Sequence, residues 1–204
     1  VIVEGSGSSG NQGDIAIDDV SLVDGACTSV GANNSVNSLA CDFELEDICG
    51  YTNAQENYMN WSRNVGFGIA GVSLDHTTRT AGGAFMAISG YVNWHGALRS
   101  IKVTAQGLYC LSFFYRQHGA MVGMLSVSLV DTIENSITQL WMVEVNIPLD
   151  QWDKAQISLN ISSVVQVSFD AIMSGEAGSL SIDDISITNG SCETPRKLFS
   201  ELQL

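Results

Sequence analysis

Basic residues are scarce in this sequence. Lys and Arg number 8 against 22 Asp and Glu, so the formal net charge is −14. A surface this acidic repels phosphate backbones, which excludes nucleic acid as an expected partner and leaves cations, basic proteins or simple solubility. No stretch approaches the roughly 18 consecutive apolar residues of a membrane-spanning helix, so direct membrane insertion is not expected. The chain also opens at Val1 without a signal peptide, inside an apolar run. We therefore expect an internal fragment of a longer protein, and the missing signal does not favour the cytosol.

The motifs of the common catalytic centres are also missing. The three histidines, His76, His95 and His118, lie outside any HExxH pattern, which excludes the usual zinc-protease helix. The sequence has no GxSxG nucleophile turn and no phosphate-binding loop. Ser, His and Asp are all present, but three histidines without a local signature do not indicate a triad. We therefore expect no enzymatic activity.

Five cysteines and four glycosylation sequons are present. The cysteines stand at positions 27, 41, 49, 110 and 192, and none forms the CxxC pair of zinc ribbons or thioredoxin-like proteins. The N-x-S sequons are Asn33, Asn60, Asn160 and Asn189. Spaced cysteines together with sequons favour an oxidising, glycosylating compartment. The prediction is a disulfide-bonded extracellular glycoprotein, either secreted or the ectodomain of a membrane protein.

An internal repeat indicates the domain organisation. Residues 13–27 read GDIAIDDVSLVDGAC and residues 178–192 read GSLSIDDISITNGSC, each a strand that ends in a glycine turn and a cysteine. Such self-similarity is typical of a domain array. We interpret residues 1–27 as the C-terminal strands of a preceding domain and the small polar segment 28–40 as a linker. Residues 41–192 then form a complete domain, and 193–204 a tail or a second linker.

Period-two alternation of apolar and polar residues runs through that domain. It is clear at 125–130, 155–161 and 165–170, between turns rich in Gly, Ser, Asn and Asp. This pattern predicts half-buried antiparallel strands, whereas 109–115 (YCLSFFY) predicts a strand buried on both faces. Only Thr132–Asn135 and the C-terminal tail are candidates for helix. The predicted fold is all-β, an antiparallel β-sandwich or jelly roll.

The order of several motifs resembles the MAM domain, the module shared by meprins, neuropilins and receptor tyrosine phosphatases. The matching segments are CDFELEDICGY at 41–51, NWSR at 60–63, DHT at 75–77, GGAFMAI at 82–88, YCLSFFYRQHG at 109–119, Trp152 with its following strand, and IDDISITNGSC at 182–192. The resemblance implies the disulfides Cys41–Cys49 and Cys110–Cys192. It leaves Cys27 without a partner in this chain. Cys27 is then either free or bonded to another polypeptide or fragment.

The acidic residues near these motifs suggest a cation site. The apolar phase slips by one residue at Asp183-Asp184, which predicts a β-bulge with one of the two carboxylates turned inward. Some MAM domains hold Ca²⁺ or Na⁺, and hard cations prefer converging carboxylates. The candidate ligands are Glu44, Asp47, Asp75 and Asp184. The alternative is that hydrogen bonds alone satisfy these carboxylates, and His76 is predicted to be a hydrogen-bonding residue near a turn.

Among the four tryptophans, Trp94 is the candidate for ligand contact. It lies in YVNWHG, a predicted loop, whereas Trp61 and Trp152 match family positions that are expected in the core. A tryptophan in a loop of a jelly roll could contact a carbohydrate.

The function expected from these features is a non-catalytic extracellular adhesion or protein-interaction module of a multi-MAM protein. Its expected partners are proteins, either further copies of the chain in an oligomer or fibre, or neighbouring MAM domains. Residues 1–27 suggest strand complementation between subunits as one route. Two alternatives stay open: a glycan-binding module that uses Trp94, and an accessory domain of a larger protease or receptor.

Overall fold

The computed structural model describes residues 35–65, 74–119, 123–145, 149–176 and 178–193. The chain divides into two units, Val1–Gly31 and Ala32–Leu204, and every described residue belongs to the second unit. The predicted preceding-domain strands 1–27, with Cys27, lie outside the described residues, as do Asn33 and the tail from position 194.

The described residues are almost entirely β-strand, as the alternation predicted. The strands are β1 Thr52–Asn53, β2 Ser62–Val65, β3 Ala84–Ser89, β4 His95–Arg99, β5 Val103–Thr104, β6 Gly107–Gly119, β7 Gly123–Asp131, β8 Ser136–Val145, β9 Leu149–Ile161, β10 Val164–Ile172 and β11 Gly178–Asn189. Helix within the described ranges is limited to two 3₁₀ segments, Val36–Leu39 and Ile48–Gly50. No described helix has the length and apolar character that crossing a membrane requires.

Residues 132–135, a predicted candidate for helix, form the turn between β7 and β8 instead. The reason is local, since the Asp131 carboxylate accepts hydrogen bonds from the backbone N–H groups of Ile133 and Glu134. An aspartate that satisfies these groups at the start of a turn stabilises the turn over a helix.

The strands form two antiparallel sheets that pack face to face. The first sheet has the order β1-β4-β10-β7-β8, with β5 also paired to β10, and the second has the order β2-β3-β11-β6-β9. The predicted all-β sandwich is confirmed. Side chains from the inner faces of both sheets interdigitate, as in β6, where Leu111, Phe113 and Tyr115 are buried. The Phe113 ring lies 5.0 Å from that of Phe169 on the opposite sheet.

The other face of β6 is only half-covered. Ser112 and Phe114 alternate with the core residues and are of intermediate exposure. The prediction of a strand buried on both faces is therefore wrong for these two positions. A loop rather than a second sheet covers Phe114, as described below.

The start of the described chain is part of the core. Val36 and Leu39, within the predicted linker, are both buried, and the Tyr51 hydroxyl donates to the Leu39 carbonyl at 2.7 Å. Cys41 pairs with Ile185 of β11 through N–H···O bonds of 2.8 and 2.7 Å. Packing against β11 therefore begins before Cys41, because the two apolar side chains of the 3₁₀ turn close one end of the sandwich.

Both disulfides implied by the resemblance are confirmed. Cys41 is bonded to Cys49 across 8 residues, and Cys110 to Cys192 across 82 residues. The short bridge closes the acidic loop that follows Cys41. The long bridge joins β6 to the segment that leaves β11.

Candidate functional sites: the acidic loop and the aromatic end

The loop 74–80 lies over the outer face of the second sheet and is organised by a buried carboxylate. Asp75 is 1% exposed and accepts hydrogen bonds from the backbone N–H groups of Thr78 and Thr80 and from the Thr78 hydroxyl. Burial acts to raise the pKa of Asp75, but these hydrogen bonds outweigh it and the pKa lies below its usual value. Asp75 therefore acts as the hub of this turn.

The predicted bulge lies where β11 passes beneath this loop. The register with β6 shifts between Asp183 and Ser186, and Asp184 has a positive φ of 47°. The sequence predicted that one carboxylate of the pair turns inward, and the structure identifies it as Asp183, which is fully buried. Asp184, which the sequence predicted as a cation ligand, is partly exposed; its carboxylate contacts the His76 ring nitrogen and accepts a hydrogen bond from the Thr77 hydroxyl.

Asp183 links the bulge to the loop. Its two oxygens accept hydrogen bonds of 2.8 Å from the backbone N–H groups of His76 and Asp184. Burial nevertheless raises the pKa of Asp183 to about 7, because desolvation outweighs these bonds.

Aromatic side chains hold the loop on the sheet. The His76 ring stacks on Phe114, with centroids 3.4 Å apart, and Trp152 lies edge-on to Phe85 at 5.6 Å. The Trp152 indole N–H donates to the carbonyl of Leu74 at 2.9 Å. The prediction that Trp152 lies in the core is wrong. Its side chain is only partly buried and belongs to this cluster on the outer face of the sheet. Trp61 is buried in the core as predicted.

The predicted cation ligands do not gather into one site. Glu44 Oε1 accepts from the Ala84 N–H at 3.0 Å, and Asp47 Oδ1 accepts from the Cys49 N–H at 3.2 Å. Across the described ranges, no group of three or more His, Cys, Asp or Glu side chains is arranged to hold a metal ion. The hydrogen bonds are those expected of structural carboxylates, and a Ca²⁺ or Na⁺ ion remains a prediction from the family resemblance.

Arg63, for which the sequence predicted no role, fixes the acidic loop between Cys41 and Cys49. Its guanidinium donates to the carbonyl oxygens of Phe43 and Glu44, both at 2.7 Å. Its place in the NWSR motif was the available signal. Beside the Cys41–Cys49 bridge, a groove of about 530 Å³ runs between this loop and the outer face of the second sheet, with Phe114 and Lys154 in its wall.

The second candidate site is the turn between β3 and β4, at one end of the sandwich. Tyr91, Val92 and Trp94 are 50%, 56% and 39% exposed. Tyr58, whose ring lies 4.8 Å from that of His95, the residue after Trp94, is 71% exposed. The prediction that Trp94 is exposed in a loop is confirmed. We call these four residues the aromatic end. The rings of Tyr91 and Trp94 meet edge to face, with centroids 4.6 Å apart.

Backbone hydrogen bonds hold this turn against the neighbouring segment. Asn93 donates to the Met173 carbonyl at 2.8 Å, and Met173 donates back to the Trp94 carbonyl at 2.9 Å. Asn93 also has the positive φ, 63°, that a tight turn requires and that asparagine tolerates. The aromatic side chains are therefore presented on a backbone that is fixed to the segment after β10.

A shallow groove of about 490 Å³ adjoins the aromatic end. Its wall includes the apolar side chains of Val92, Met124 and Ile172, and Glu144 contributes the one carboxylate of the described lining. Exposed apolar surface of this kind beside aromatic residues is typical of a protein-binding site.

Three sequons fall on described residues, and all three asparagines are exposed. Asn160 lies on β9 and Asn189 at the end of β11, where they flank the same end of β6. Asn60 lies just before β2, at the edge of the same sheet, beside a small polar cleft. Exposure makes all three asparagines accessible to modification, and glycosylation stays a prediction.

Comparison with known proteins gives a consistent result. The model of the family described as "MAM domain, meprin/A5/mu" matches residues 41–193. Thyroid hormone-induced protein B of Xenopus laevis is 26% identical over 98% of this chain and 28% of its own length. MAM domain-containing protein 2 of Mus musculus is 26% identical over 95% of this chain and 27% of its own length. Meprin A subunit beta of Rattus norvegicus is 24% identical over 75% of this chain and 23% of its own length.

The chain thus spans less than a third of the length of these relatives. Among solved structures, the K1 cleaved adhesin domain of Lys-gingipain from Porphyromonas gingivalis W83 superposes with a TM-score of 0.58. That match has 14% sequence identity and covers 75% of this chain and 98% of the adhesin domain. At this identity the likeness concerns the fold alone.

Proposed function

The chain belongs to the MAM family, and on this basis we propose that it is a non-catalytic extracellular module that binds a second copy of itself through the aromatic end. The observation that carries the proposal is the exposure of Tyr91, Val92 and Trp94 on a hydrogen-bonded turn, together with the exposed Tyr58 that contacts the adjacent His95. Trp and Tyr are the residues most enriched at the energetic centres of protein interfaces. A turn that is already ordered loses little conformational entropy on binding.

The proposed extracellular location is supported by the covalent chemistry of the chain. Two disulfides form within the domain, and such bonds persist in oxidising compartments. One relative, MAM domain-containing glycosylphosphatidylinositol anchor protein 1 of Rattus norvegicus, is by name a membrane-anchored protein. We therefore expect the aromatic end to bind its partner outside the cell.

Self-association of the full chain tests the proposal. Sedimentation velocity over a concentration series should show reversible dimers or larger species, and Trp94→Ala should weaken association by about 2 kcal/mol, or roughly thirtyfold in dissociation constant. The matched control is Ile133→Ala, which truncates a side chain that is 69% exposed in the β7–β8 turn, at the opposite end of β7 from the groove. A chain that stays monomeric throughout, or that dimerises equally well with either substitution, would contradict the proposal.

A glycan ligand is the second candidate, and the exposed indole of Trp94 is the observation that favours it. An aromatic face exposed beside Tyr91 can stack on the apolar face of a sugar ring. A glycan array probed with the wild-type chain and Trp94→Ala separates the two functions. Binding of a defined glycan that is lost on substitution, in a chain that does not self-associate, would favour the glycan.

The cation prediction and the role of the parent protein have their own tests. Melting curves recorded with excess CaCl₂ and with chelator should differ where a cation is bound in the folded state, because ligands of the folded state raise its stability. Equal melting temperatures would mean that no cation is bound and that hydrogen bonds alone satisfy the carboxylates. The further proposal, an accessory domain of a larger protease or receptor, is tested by the sequence of the full-length protein.

A further inference from the structure

A small cleft on the outer face of the second sheet has an uncharged lining, in which hydroxyl and amide side chains surround two apolar residues. It encloses about 120 Å³, room for roughly four water molecules. The lining residues are Asn60, Ser62, Asn64, Ala87, Ile88, Ser89 and Ser179. Hydroxyl and amide groups both donate and accept hydrogen bonds, as sugar hydroxyls and acetamides do. The lining therefore fits a neutral, hydroxyl-rich group better than an ion.

One side chain of the cleft lacks a hydrogen-bond partner among the described residues. Ser179 is 4% exposed, and its hydroxyl makes no hydrogen bond within the part of the chain that the structure describes. A buried hydroxyl without a partner is costly, so such a group indicates a missing ligand atom or water. Ser179 lies on β11 opposite Ser89 of β3, on the side of the cleft farthest from β2.

A glycosylation sequon lies at the outer end of the same cleft. Asn60-Trp61-Ser62 is an N-x-S sequence, and both Asn60 and Ser62 line the cleft. Asn60 is exposed, and its side-chain oxygen accepts a hydrogen bond from Asn57 at 3.4 Å. The Asn60 Nδ2, the atom that would carry a glycan, donates no hydrogen bond to any residue that the structure describes.

The cleft crosses three adjacent strands. Ser62 of β2 lies opposite Ala87 of β3, and Ser89 of β3 lies opposite Ser179 of β11. Two strand spacings amount to about 10 Å, so a sugar joined to Asn60 can place its acetamide group beside Ser179. The methyl group of Ala87 gives the cleft an apolar floor for the acetamide methyl.

We propose that Asn60 carries an N-linked glycan whose first N-acetylglucosamine places its acetamide group in this cleft, where it hydrogen-bonds the Ser179 hydroxyl. The modification forms a bond between Asn60 Nδ2 and C1 of the sugar and breaks the bond between C1 and the diphosphate of a lipid-linked oligosaccharide donor. The amide nitrogen loses one proton, and the lipid diphosphate is released. The inference needs the extracellular location proposed above and does not depend on which partner the aromatic end binds.

The test uses the full chain secreted from glycosylating eukaryotic cells. Glycopeptide mass spectrometry should find Asn60 occupied. Under native conditions a peptide-N-glycosidase should release the Asn60 glycan about tenfold more slowly than the Asn160 glycan, because a seated first sugar must leave its cleft before cleavage. Ser179→Val removes the hydroxyl and fills the cleft, so it should raise the Asn60 rate to that of Asn160. Ser186→Val, the same change at an exposed position on β11, should leave it slow.

Three results would overturn the proposal: an unoccupied Asn60 in the secreted, folded chain; equal release rates at Asn60 and Asn160; or a slow Asn60 rate that Ser179→Val does not change. A second measurement needs no substitution. Nuclear Overhauser contacts between the acetamide methyl of the Asn60 glycan and the Ala87 methyl are expected, and their absence in an occupied sample would refute the seating. Failure of self-association at the aromatic end would leave each of these results unchanged, so the two proposals are tested separately.

Discussion

The two disulfides should contribute unequally to stability, because they close loops of very different length. In the chain-entropy model a bridge stabilises by restricting the unfolded chain, with an entropy that grows as the logarithm of the loop length. Cys110–Cys192 closes 82 residues, which corresponds to about 4.5 kcal/mol at 25 °C. Cys41–Cys49 closes 8 residues, which corresponds to about 2.5 kcal/mol. The expected difference is about 2 kcal/mol.

Paired Cys→Ala substitutions form a matched comparison. Each bridge has one buried cysteine, Cys41 at 5% and Cys110 at 7% exposed, so the packing loss is similar in the two double variants. Urea unfolding followed by tryptophan fluorescence should give a lower free energy of unfolding for Cys110→Ala/Cys192→Ala. The melting temperatures of the two double variants should differ by about 4–8 °C. Equal losses, or a larger loss without Cys41–Cys49, would refute the loop-length reasoning and assign the stability to local contacts of the acidic loop.

Three further substitutions test individual contacts. Tyr51→Phe removes the 2.7 Å hydrogen bond to the buried Leu39 carbonyl and should cost about 1–2 kcal/mol in urea unfolding; an unchanged midpoint would mean that this bond contributes nothing. Gly83→Ala would place a Cβ 2.1 Å from the Asp75 carboxyl carbon, so it should lower the melting temperature by several degrees, and a neutral result would contradict the packing of loop 74–80. Asp183 has a pKa raised to about 7, so its contribution to stability is full below about pH 4 and is lost as the pH rises through 7. In metal-free buffer the wild type should therefore lose up to about 4 kcal/mol relative to Asp183→Asn between pH 4 and pH 8, and parallel pH profiles would exclude a buried, titrating Asp183.

Much of the fold could be predicted because it depends on local periodicity. The alternation at 125–130 and 165–170 becomes β7 and β10, and the phase slip at Asp183-Asp184 becomes the β11 bulge. These signals are local, since a strand with one buried face must alternate wherever it lies. The choice between Asp183 and Asp184 could not be predicted, because it depends on the loop 74–80 that covers the bulge.

The candidate sites were predicted less completely, because they depend on contacts between distant segments. Trp94 was identified from its loop context. Tyr58 could not be assigned to the same end of the domain, because only its contact with His95, far along the chain, brings it there. The position of Trp152 was predicted wrongly because an aromatic residue on a strand can pack on either face of the sheet. The hydrogen bond to the Leu74 carbonyl, in a loop far away in sequence, is what places it on the outer face. The cleft next to Asn60 has no linear signature, since three separate strands form it.

The positions of the two disulfides also determine how the domain responds to tension. Force that enters at Cys41 passes through the first bridge to Cys49, and force that leaves at Cys192 passes through the second bridge to Cys110. The extensible part is then only the segment 49–110, about 20 nm when fully stretched, whereas the reduced chain from 41 to 192 would reach about 50 nm. Strands β7 to β11 lie inside the covalent loop and carry none of the load along their backbone. In a row of such domains the oxidised state would act as a short tether, and reduction of the long bridge would more than double its reach.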